Sequence, residues 1–154
     1  MKIIFLDIDG VMNNTRTKER CGYNTGIENN ALIVLKRIVD ASSAKICLVS
    51  SWKEFWFKED KKSQDEMANY LDNRMYEFGL EIWDKTNEIQ KRGKEINNYI
   101  SHLINQGIVV ENFVILDDEL LDYAEEGLLK NLVHTNYLIG ITMEDSAKAI
   151  SILQ

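Results

Sequence analysis

The sequence predicts an α/β domain around a central parallel sheet. Two features carry this: short apolar runs that end in acids or hydroxyls, and segments of helical period between them. The first run, residues 2–6, meets Asp7 at once and reads as a strand buried on both faces. Residues 10–26 are polar, contain Gly10, Gly22 and Gly26, and are expected to form a long loop or flap. Over residues 29–41, Leu32, Leu35, Ile38 and Val39 recur at helical spacing. Residues 46–49 form the second predicted strand, which ends in Ser50-Ser51. Residues 63–78 read as a helix with Ser63 as N-cap and acids in its first turn. Residues 92–106 form an amphipathic helix through Ile96, Tyr99, Ile100, Leu103 and Ile104, stopped by Gly107. The third strand, residues 113–116, ends in Asp117-Asp118, and Leu132 and Val133 are the candidates for a fourth. A helix over 142–153 closes the chain, with Thr142 and Asp145 spaced as a capping box.

The length of 154 residues suits one domain, expected to span 1–154. Apolar residues at 45% and charged residues at 28% exclude a disordered chain. No apolar run approaches the roughly 18 residues of a membrane span, and the first residues lack a signal-peptide pattern. A cytoplasmic setting without a membrane partner is therefore expected. Cys21 and Cys47 make neither a disulfide framework nor a Cys/His metal pattern. The net charge of −7 argues against avid, nonspecific nucleic-acid binding. The cations are nevertheless clustered: ten of the eighteen Lys and Arg residues fall at 16–20, 53–62 and 91–94. All three stretches are expected around the strand ends, which is where parallel sheets bind ligands.

The residues at those ends permit a definite chemistry. Asp7 and Asp9 follow the first strand, Ser50 and Ser51 the second, and Asp117 and Asp118 the third. Arg92, Lys91 and Lys94 open the helix before the third strand. Carboxylates gathered at one point raise one another's pKa and call for a cation. Magnesium suits an all-oxygen set that contributes few carboxylates, here through Asp7 and the Asp117-Asp118 pair, Asp117 foremost. Asp7 can then attack phosphorus, and Asp9 can protonate the leaving oxygen and later activate water. A serine hydroxyl, Ser50 ahead of Ser51, and a cation among Arg92, Lys91 and Lys94 would bind the other phosphoryl oxygens. Gly10 would let the backbone turn or approach the phosphate. His102 and His134 have no partner at a suggestive spacing and read as structural or exposed. Trp52, Phe55, Trp56 and Phe57 lie among lysines; packing onto the body is the stronger reading, base stacking the other.

In order along the chain, four motifs resemble those of the haloacid dehalogenase (HAD) superfamily. They are Phe5-Leu6-Asp7-Ile8-Asp9-Gly10-Val11, Leu48-Val49-Ser50, Arg92 or a neighbouring Lys, and Ile115-Leu116-Asp117-Asp118. The resemblance implies a three-layer Rossmann-like fold, Asp7 as nucleophile and Asp9 as acid/base. It also implies magnesium held by Asp7, the Asp9 backbone carbonyl, and Asp117 or Asp118. An acid two residues after the nucleophile is similar to the phosphatase branch. Ser50-Ser51-Trp52-Lys53, Arg92-Gly93-Lys94-Glu95-Ile96, Leu132-Val133-His134-Thr135 and Gly140-Ile141-Thr142 extend the match. Together they resemble the HAD domain of Swiss Army Knife RNA repair proteins, with Ile141 and Lys53 where Leu and Arg are expected. That group implies phosphate removal from RNA ends. The short connections imply a minimal cap and an open site, suited to a macromolecular end. The competing expectations are a phosphatase for nucleotides or metabolites and a noncatalytic, magnesium-dependent receiver-like module. A receiver's acid pair precedes its phospho-Asp strand, which is the reverse of the order here.

Overall fold

The structure is a computed structural model that describes residues 1–87 and 91–154. Strands β1 (Lys2–Leu6), β4 (Lys45–Leu48), β5 (Ile82–Lys85), β6 (Asn112–Asp117) and β7 (Leu132–His134) form one parallel sheet in the order β5-β4-β1-β6-β7. The first strand in sequence is thus the central one, with β4 and β6 on either side. Its side chains alternate between two cores, as strand geometry requires. Ile4 and Leu6 face α1 (Asn29–Ser42), α2 (Glu66–Glu77) and α4 (Met143–Leu153), meeting Leu35, Leu71 and Leu153. Ile3 and Phe5 face α3 (Arg92–Asn105), meeting Ile96, Tyr99 and Leu103. Helices therefore cover both faces of the sheet, giving the three-layer Rossmann-like arrangement expected from the motifs.

Most predicted elements appear, with instructive differences. The capping box of α4 is complete: Thr142 Oγ1 accepts from the Asp145 amide, and Asp145 accepts from the Thr142 amide. Helix α2 starts three residues later than expected because Asp65, not Ser63, accepts from the Ala68 amide at 2.9 Å. Ser63 closes a short 3-10 turn, Lys61–Ser63. Strand β5 was not anticipated; half of it is Asp84 and Lys85, and pairing with β4 holds it at the sheet edge despite a register irregularity. The expected flap carries a small hairpin, β2 (Arg20–Cys21) with β3 (Asn24–Thr25). Between Ser51 and Arg92, α2 contributes to the core and β5 to the sheet, so the described residues of that stretch build the body and add no cap. Among the described residues, no helix is long and apolar enough to cross a membrane.

Candidate active site

Register brings the acids together. Leu6 of β1 is level with Leu48 of β4 and Leu116 of β6, so the residues that follow emerge at one height. Asp7 stays in the ladder through its amide, which donates to Leu116 O at 3.0 Å. Asp7 and Asp117 are both buried, and Asp118 is half-buried. One oxygen from each of the three carboxylates lies within 4.8 Å of the others. The structure thus assembles the predicted acidic cluster.

One guanidinium faces it. Arg92 Nη1 is 2.7 Å from Asp117 Oδ2 and 3.3 Å from Asp7 Oδ1. Although burial opposes its charge, these two carboxylates raise the Arg92 pKa above its ordinary value. Desolvation, reinforced by Asp117, pushes Asp7 up to about 8 even with Arg92 pulling down. Burial and then Asp117 raise Asp118 as well. With Arg92 beside the cluster, Asp7 and Asp118 are still raised, and an oxygen-only set of this kind fits a hard divalent ion.

The two acids of the pair differ. Asp117 Oδ2 also accepts from Tyr123 OH at 2.6 Å, and Oδ1 accepts from the Glu119 amide at 2.9 Å. Both of its oxygens thus have protein donors. The Asp118 carboxylate instead rests against Gly10, whose φ of +81° and missing side chain make room for it; a Cβ there would collide with Asp118. The Gly10 amide donates to Asn13 Oδ1 at 2.9 Å. Gly10, expected on the phosphate side, therefore serves as the seat of Asp118, with its amide already engaged. Asp118 thus has fewer protein donors than Asp117, and both stand in the cluster with Asp7.

Asp9 is exposed and held by two neutral donors, Asn13 Nδ2 at 3.0 Å and Trp52 Nε1 at 3.2 Å. Ser50 is buried and its oxygen accepts from the Trp52 amide, whereas Ser51 opens on a cleft of about 650 Å³. Arg92 and Lys91 line the same cleft; Lys91 and Lys94 are exposed.

A scan of the chain against family models matches residues 3–146 to the family described as the HAD domain in Swiss Army Knife RNA repair proteins. The chain belongs to this family. Membership points to hydrolase chemistry of the HAD phosphatase type. No curated protein and no solved structure gives a significant match.

Within this HAD domain, several functional neighbours lay beyond sequence reasoning. Asn13 and Trp52 orient Asp9, and Tyr123 orients Asp117. Asp122 reaches the start of α3, where it accepts from the Gly93 amide at 2.7 Å and the Lys94 amide at 3.1 Å. Cations at a helix N-terminus oppose its dipole. Asp122 offsets Lys91 and Arg92 there, which lets Arg92 sit on α3 and still point at Asp7. Trp52 is buried as the packing reading expected, yet its N–H serves Asp9. Lys53, counted among the cations around the site, is buried in an ion pair with Glu95, which also accepts from Thr86. Lys58 and Lys61 lie elsewhere, along a second hollow of about 830 Å³ beside β5, over the rings of Trp83 and Trp56. His134 and His102 are exposed, His134 Nε2 lying 2.8 Å from Asp118 O.

Proposed function

We propose that this protein is a magnesium-dependent phosphomonoesterase that works through a phospho-aspartate on Asp7 and removes phosphate from nucleic-acid ends, RNA foremost. The observation that carries the reading is the pairing of Asp7, buried at the central strand end beside Arg92, with Asp9, held two residues on at the open side. An Asp7 carboxylate oxygen attacks phosphorus, the phosphorus–ester oxygen bond breaks, and the leaving oxygen takes the Asp9 proton. Asp9 then takes a proton from water as that water attacks the phosphoryl phosphorus, which frees Asp7 and inorganic phosphate. Arg92 and the Ser50-Ser51 pair bind the phosphoryl oxygens, where charge spreads in the transition state. Magnesium would be held by Asp7, Asp118 and the Asp9 carbonyl, with Asp117 behind. When bound it neutralises the carboxylates and polarises a phosphoryl oxygen.

The hydrogen bond from Trp52 fixes the direction in which Asp9 delivers its proton. Trp52→Phe keeps a ring in the same place and removes the N–H. Turnover of alkyl phosphates is expected to fall about tenfold, the scale of one hydrogen bond to a charged group. Aryl phosphates, whose leaving groups need little protonation, should fall much less. Equal losses on both would make Trp52 a packing residue only.

The cleft of about 650 Å³ beside Arg92 supports a second reading, a phosphatase for nucleotides or other small molecules. A screen with magnesium, reading free phosphate, separates the two. The expected result is a kcat/KM for terminally phosphorylated oligoribonucleotides at least on the order of tenfold above that for nucleotides and sugar phosphates, because only the longer substrate gains backbone contacts. The reverse order would replace the nucleic-acid substrate and leave the phosphoryl chemistry intact.

A further inference from the structure

The hairpin β2–β3 has no role in the phosphoryl chemistry, yet it is rooted at the acid that serves it. The Asn13 side-chain amide that grips Asp9 also donates to Gly26 O at 3.0 Å and Thr25 O at 3.4 Å, on the return strand of the hairpin. The root is closed by the Gly26 amide donating to Glu19 O at 2.8 Å. Cys21 is buried, so the hairpin has an inner and an outer side. At its tip, Gly22 at φ +59° occupies the first central position of a two-residue turn, a position that favours glycine. The next residue, Tyr23, stands fully in solvent, and no ring or hydrogen-bond contact engages it among the described residues. A fully exposed aromatic ring contributes nothing to the core. Arg16, Lys18 and Arg20 precede this ring in sequence, all exposed, with Glu19 among them, Glu28 bonded to the intervening Thr17, and Asp65 and Glu66 near the buried Cys21. Among the described residues none of the three forms an ion pair; Arg20 reaches only Thr25 Oγ1, at 3.3 Å. In a chain of net charge −7, the hairpin and the loop that leads into it thus carry three cations outside any ion pair and one free ring.

From these features we infer that the β2–β3 hairpin is a single-strand nucleic-acid platform: Tyr23 stacks on a base, and Arg16, Lys18 and Arg20 contact the phosphodiesters that trail from the end held at Asp7. The assignment rests on the nucleic-acid reading proposed above and specifies its contact surface. A neutral, sequence-tolerant ring beside unpaired cations is the recognition chemistry of single strands. Three residues of strand reach roughly 10 Å from root to tip. At roughly 3.4 Å between stacked nucleotides, Tyr23 meets about the third nucleotide from the end.

The test is a length series of single-stranded oligoribonucleotides with one terminal phosphate, from mononucleotide to octamer, with para-nitrophenyl phosphate alongside. In the native protein KM is expected to fall between the mononucleotide and the tetramer. Tyr23→Ala should raise the KM of the tetramer and octamer on the order of tenfold, and Tyr23→Phe should restore it. Arg16→Ser, Lys18→Ser and Arg20→Ser together should lower the slope of log kcat/KM against log salt by about 2, because about 0.7 of a counterion is released per single-strand phosphate contact. Kinetics on the aryl phosphate should remain unchanged in every variant. Unchanged oligonucleotide KM and salt slope in both variants would overturn the platform while leaving the nucleic-acid reading in place. Equal loss on the aryl phosphate would also overturn it, since the hairpin would then serve only to hold Asp9. Failure of the native protein to use any oligonucleotide would remove the nucleic-acid reading and the platform together.

Discussion

Asp7→Asn is expected to lower phosphate release on the order of 10⁴-fold or more, for aryl and alkyl esters alike. The amide fills the same space and keeps a hydrogen-bonding oxygen near Arg92, but it is not a nucleophile toward phosphorus. Stability should move the other way. In the metal-free protein the Asp7 carboxyl sits at about 8 against an ordinary 3.8, chiefly through burial and then through Asp117. Between those values the folded chain binds more protons than the unfolded one, so stability falls as pH rises from about 4 to about 8. Asn carries no such penalty, so in chelator at pH 8 the variant should melt above the native protein. Asp9→Asn provides the contrast. Asp9 is exposed, but Asn there sets an amide N–H against one of its two donors, so the melting temperature should fall slightly. Alkyl turnover should fall roughly 10²- to 10⁴-fold, with aryl esters still forming phospho-enzyme slowly. Near-normal rates in Asp7→Asn would exclude the covalent route.

Chelation followed by dialysis is expected to abolish turnover, and added magnesium to restore it. The reason is visible in the balance of charges: Asp7 and Asp117 share the Arg92 guanidinium, and Asp118 lies beside them. Binding to such a cluster must also stabilise the fold. At an ion concentration of about 100 times Kd the gain is about 2.7 kcal/mol, which for a chain of this size corresponds to roughly 5–10 °C in Tm. Asp118→Asn should reduce both the thermal shift and the magnesium affinity, since Asp118 is the acid of the pair with the fewer competing donors. Activity that survives complete chelation would exclude the metal-dependent mechanism.

The backbone of the site was legible in the sequence because of where its acids stand. Asp7 and Asp117 each end an apolar run, and parallel pairing in register turns run ends into neighbours. The helices α1, α3 and α4 were legible through their period and, for α4, its cap. The supporting residues were not. Trp52 and Asp9 are 43 positions apart, and Asp122 and Gly93 are 29 apart, so nothing local marks either bond. Strand β5 was hidden for a different reason: at a sheet edge, half of the strand can be charged, and pairing rather than pattern defines it. Lys53 shows the reverse failure. A lysine beside aromatic residues reads as a surface cation, and only the fold reveals Glu95 waiting for it inside.

The carboxylate of Asp122 has one further consequence. The free amides at the start of a helix make a natural trap for phosphate. Here the chain fills that trap itself, by placing Asp122 on the amides of Gly93 and Lys94. In the proposed reaction, inorganic phosphate left behind after a turnover would therefore find the start of α3 already occupied. It meets one guanidinium already shared between two acids, and it must compete with a carboxylate that is tethered and always present. In that reaction Asp122 would favour product departure as well as helix stability.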